Sequence, residues 1–253
     1  MFRTDRGIRR VPIWIWILVG VNLLMGVANV VTYAVTRHWN LEPTSMFRLS
    51  DEANVPTWWS SAQLLMVGAL LSILAYRLIA MRQPRAWLMT LPALLFLFLS
   101  MDEVATIHEE IGHRWGPESL RTGMWVVIAV PIFLIALAVI VRAVWPFLRG
   151  RTQVIRLYAL GFGVALFSAV GLELVANLVP DQSLQVHVLV LLEEVGEMMG
   201  VTLMLWASAE WVASFGIRLL SVETEHHASV AATTRRKTRS AKAVSASVNP
   251  SLI

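Results

Sequence analysis

The chain has 253 residues, 57% of them hydrophobic and only 15% charged. Soluble domains carry about 25% charged residues, so the deficit excludes an ordinary soluble fold and points to a polytopic membrane protein. The absence of cysteine excludes disulfides, thiolate metal sites and thiol catalysis, and the net charge of +4 sits in particular loops, so no nucleic-acid partner is expected.

The first element is the apolar run from Val11 to Val35, preceded by MFRTDRGIRR. A signal-peptide core spans only about 7–15 residues. This run is longer, and it predicts a first transmembrane helix. Comparable runs follow near 57–80, 87–108, 123–146, 157–179 and 185–212. Only helices or closed barrels satisfy their backbone in lipid. These runs are too long and too uniformly apolar for barrel strands. The expected fold is therefore all-α: a polytopic bundle of six transmembrane helices. Pro92 and Pro131 fall inside the third and fourth runs and predict kinks there.

Orientation follows from the basic residues. Of the 21 Lys and Arg, 17 lie at the N-terminus, in the second and fourth loops, and after the last run. By the positive-inside rule both termini are cytoplasmic and the protein is a multi-pass protein of the plasma membrane. The membrane domain should cover 1–220. Residues 221–253 are rich in Ala, Ser, Thr and basic side chains and predict a disordered cytoplasmic tail.

The acids are distributed unevenly. In the third run, MDEVATIHEEIGH carries Asp102, Glu103, Glu110 and His113. With Asp102 at zero and about 100° per residue, His113 falls near 20°, Glu110 near 80° and Glu103 near 100°. The fifth run carries Glu173. The sixth carries His187, Glu193, Glu194 and Glu197 within an arc of roughly 120°. At ~1.5 Å per residue, Asp102, Glu103, Glu173, Glu193 and Glu194 reach similar depths in the outer third of the bilayer. Each ionised acid at a helix centre costs about 2.5–3.5 kcal/mol on insertion scales. The acids are therefore expected to face the bundle interior, where they require protons or a cation.

Glu110-x-x-His113 is one quarter of the carboxylate-bridged di-metal pattern of helix bundles, with Glu194-x-x-Glu197 in place of the second quarter. Oxygen and imidazole donors without thiolates suit divalent ions such as Mn, Fe, Zn, Mg or Ca. The leading expectation is an outward-facing site binding a divalent metal ion for catalysis at the membrane. Its ligands would be Asp102, Glu103, Glu173, Glu193, Glu194 and Glu197, with Glu110, His113 and His187 as auxiliary ones. The first alternative is a proton- or cation-coupled transporter using the same acids. The second is an accessory or scaffold subunit, in which the acids would point outward. The expected partners are the lipid bilayer and a small cation or lipid-soluble substrate.

Overall fold

The computed structural model describes residues 11–39, 45–49, 53–107, 110, 125–180 and 183–216. Among them the chain is helical, with no strand. The six long helices are α1 (Ile13–Trp39), α2 (Val55–Ala80), α3 (Thr90–Ala105), α4 (Trp125–Leu148), α5 (Thr152–Ala176) and α6 (Leu184–Ser214). The first five are long and apolar enough to cross a membrane, α3 together with the 3-10 turn Ala86–Met89 that precedes it. At 31 residues α6 is also long enough, but its glutamates interrupt the apolar run. The tail and His113 lie outside the described residues.

Local chemistry sets the ends. Asn54 caps α2: its Oδ1 accepts from Thr57 N at 2.9 Å, and its Nδ2 donates to Arg48 O at 2.7 Å. Ser183 caps α6 by accepting from Val186 N at 3.3 Å. Pro92 lies in the first turn of α3, where the missing N–H has no α-helical acceptor, so it does not interrupt that helix as an interior proline would. Pro131 and Pro146 do fall inside α4. Helix α3 stops at Thr106, which closes it in the left-handed conformation (φ 50°, ψ 36°) and donates its N–H to Asp102 O at 2.7 Å. A β-branched residue is an outlier in that region.

Lipid is as apolar as leucine, so helices associate in it through close packing and hydrogen bonds. Both devices are present. A Cβ on Gly161 of α5 would lie 2.8 Å from Gly200 O of α6, and a Cβ on Gly200 would lie 2.7 Å from Ala165 N and from Gly161 O. The two backbones cross in direct contact, and only glycine fits. On the other side of α6 a buried polar network joins three helices. Asn22 of α1 accepts from Trp59 Nε1 at 2.8 Å and from Gln63 Nε2 at 2.9 Å, and donates to Thr202 Oγ1 at 3.0 Å. The Thr202 hydroxyl donates to Gln63 Oε1 at 2.8 Å. Helices α2 and α3 are joined by Ser61 and Ser100, whose hydroxyls each donate to the other's carbonyl, at 2.7 and 2.9 Å. At the opposite end of the bundle from the acids, Ile15, Leu157, Trp206 and Ala207 form a buried cluster between α1, α5 and α6.

Helix α6 is thus the hub, packed against α1, α2 and α5. Helix α4 is the contrast: only 6% of its apolar window is buried.

Candidate functional site

The acids converge around α6, beside the glycine crossing. Gly196, Gly200 and Met204 mark the side of α6 that meets α5, and Met198 and Thr202 the side that meets α1 and α2. Counted from Gly196, Glu193 at about 60° lies on the α5 side, with Gly200 at about 40° and Met204 at about 80°, while Glu197 at about 100° and Glu194 at about 160° lie between the two sides. Two other helices bring carboxylates within electrostatic reach of these glutamates. Glu197 interacts electrostatically with Glu194, Glu103, Glu193 and Glu173, and Glu193 with Glu173. One carboxylate of α3, one of α5 and three of α6 therefore share a single electrostatic neighbourhood, and each of the five is partly buried.

Glu173 reaches this neighbourhood because α5 is not α-helical throughout. Residues Phe167–Leu172 form a π-helix. Its ladder closes i to i+5, so residues five apart stack on one face. Ser168 is 3% exposed and packs against Gly196, where an added Cβ would collide with Ser168 Oγ. Glu173 is five residues further on. In an α-helix it would point about 140° away from Ser168. The π turn instead returns it toward the α6 side, with its Oε2 buried. Such turns recur at functional sites.

The remaining expected residues fall elsewhere or at the margin. Asp102 is partly buried near the end of α3. Glu110 is exposed, and its N–H donates to Thr106 O at 3.0 Å. His187 is exposed roughly 9 Å along α6 from Glu193. Its Nδ1 lies 3.0 Å from Ser183 O, and its ring packs on Tyr33 of α1 with centroids 4.4 Å apart. Among the described residues, no group of three or more His, Asp or Glu is disposed to hold a metal ion.

Three features were not anticipated from sequence. The Gly196-x-x-x-Gly200 pair is a small-residue crossing motif legible in the sequence, facing Gly161 and Ala165. The Asn22–Gln63–Thr202 network is signalled by polar side chains in apolar runs. The π turn has no signal in residue types.

Polar side chains also continue along α6 toward its arginine-rich end. Below Thr202, Ser208 Oγ lies 2.7 Å from the Tyr158 hydroxyl, and Trp206 Nε1 donates to Glu210 Oε1 at 3.4 Å.

Residues 14–213 match the model of a family described as Domain of unknown function (DUF8692). No curated protein and no solved structure matches the chain.

Proposed function

We propose that this chain, which belongs to the DUF8692 family, is a six-span protein of the plasma membrane with both termini cytoplasmic, and that it couples transport to a cation held by Glu103, Glu173, Glu193, Glu194 and Glu197. The bound species is a shared proton. The observation that carries this reading is the convergence of five carboxylates from three helices on one neighbourhood. Five negative charges cannot coexist at membrane depth without positive partners, and Glu194, Glu103, Glu193 and Glu173, which act on Glu197, are all acids. Protons satisfy such a set without the convergent geometry that a metal needs. The arrangement of Asn22, Gln63, Thr202, Tyr158, Ser208 and Glu210 supports transport over catalysis, because polar groups do not stop at the outer half.

The test is infrared difference spectroscopy of the reconstituted protein across pH, with elemental analysis of protein purified without chelator. The proton reading expects a carboxyl band that titrates in the wild type and is lost in Glu197→Gln. A second reading, a divalent ion at the same carboxylates, rests on the richness of oxygen donors. It expects one equivalent of metal that disappears in Glu194→Gln and Glu173→Gln. Neither a titrating band nor metal would defeat both.

A further inference from the structure

Helix α4 leaves a crevice against α3, α5 and α6 with a volume of about 290 Å³. Its wall is apolar, with Phe96 from α3, Val144 and Leu148 from α4, and Phe162 from α5. Tyr158 also lines it, but the hydroxyl is already bonded to Ser208. Trp211 is different. It lines the crevice and is 2% exposed, and its Nε1 is buried with no hydrogen-bond partner among the described residues. Buried indole N–H groups ordinarily find an acceptor, and none of the described protein groups supplies one. A ligand in the crevice would supply it.

The surroundings define what brings it. Trp211 lies three residues from the end of α6, about 4.5 Å along its axis, at the level where tryptophans meet the headgroup region. The chain between the wall residues Leu148 and Ile155 begins with Arg149, and Arg156 follows; both are exposed. Arg151 between them is committed to the protein: it donates through Nε to Ser214 Oγ at 2.8 Å and through Nη1 to Phe147 O at 2.6 Å, and lies over the Phe215 ring. An apolar slot, a buried donor at ester depth and exposed cations at the rim are the three parts of an anionic lipid site.

We propose that the crevice binds one acyl chain of an anionic phospholipid from the leaflet on the arginine-rich side. The chain fills the space between α3, α4 and α5. An ester carbonyl accepts from Trp211 Nε1, and the phosphate rests on Arg149 and Arg156.

Native mass spectrometry of the delipidated full-length protein, titrated with dioleoyl phosphatidylglycerol and separately with dioleoyl phosphatidylcholine, tests this. The expected result is one saturable phosphatidylglycerol, held several-fold more tightly than phosphatidylcholine. Ala159→Phe, which fills the crevice wall, should abolish it. Trp211→Phe should weaken it roughly 2–10-fold, the worth of one hydrogen bond. The double variant Arg149→Gln/Arg156→Gln should remove the headgroup preference while the chain still binds. Should Ala159→Phe fail to fold, the Trp211 and arginine variants decide. Equal binding of both lipids, unchanged binding in Ala159→Phe or Trp211→Phe, or displacement by an uncharged isoprenoid would overturn the proposal.

Discussion

Replacing Gly200 with alanine adds one methyl group at the tightest point of the bundle. The new Cβ would lie 2.7 Å from Ala165 N and Gly161 O and 2.8 Å from Ala165 Cβ. Two of these atoms belong to backbone, and neither can rotate aside. Ordinary contact begins at 3.4 Å, so α5 and α6 must part by about 0.7 Å, the difference between 3.4 and 2.7. Overpacking of this kind costs about 1–3 kcal/mol. Gly163, one half-turn from Gly161, is the control: an added Cβ there meets nothing within 4 Å. Alanine at Gly163 should change stability by less than about 0.5 kcal/mol or raise it slightly. Reversible unfolding in mixed micelles by sodium dodecyl sulfate, followed by circular dichroism, measures both. Equal stability of the two variants would show that α5 and α6 do not cross at Gly161 and Gly200, and would remove the scaffold that holds Glu173 beside Glu197.

Deleting Ala169 should convert the π turn to an α-helix and leave Glu173 four residues after Ser168, on the same face to within about 40°. Titration of the carboxyl band should then stay close to that of the wild type at unchanged helix content, and a titration matching that of Glu173→Gln would refute the role given to the π turn. Asn22→Leu leaves the groups of Trp59, Gln63 and Thr202 without their shared partner, and should destabilise the bundle by about 1–3 kcal/mol in the same unfolding assay. Thr106→Gly relieves a left-handed β-branched residue and should stabilise by up to about 1 kcal/mol. A lower melting temperature in that variant would mean that the Thr106 side chain holds contacts worth more than the strain.

The helices and the acid-bearing faces could be read directly from the chain, because both depend on short-range regularities. Apolar runs of membrane length located all six helices to within a few residues. Counting residues along the third, fifth and sixth runs puts Asp102, Glu103, Glu173, Glu193 and Glu194 at similar depths, and Glu197 deeper. His187 shows where depth and arc are insufficient: it shares the arc of Glu193, yet one and a half turns of rise take it to Tyr33. A uniform α-helix would turn Glu173 about 140° from Ser168, whereas the π turn resets the register after Ser168. That irregularity coincides with the fit of Ser168 against Gly196, a tertiary contact that no local pattern encodes. The amide network around Asn22 was likewise a matter of which polar side chains meet, and its members are 180 residues apart at their widest.

Arg151 clasps the start of α5 to the last turn of α4 and to the end of α6, while the rest of α4 has little against it. A rod clasped at one end is a lever. Any swing of α4 has its fulcrum at that guanidinium and its widest travel at the far end, on the side of the membrane where the glutamates gather. Whatever occupies the slot behind α4 therefore sets how far the lever can close.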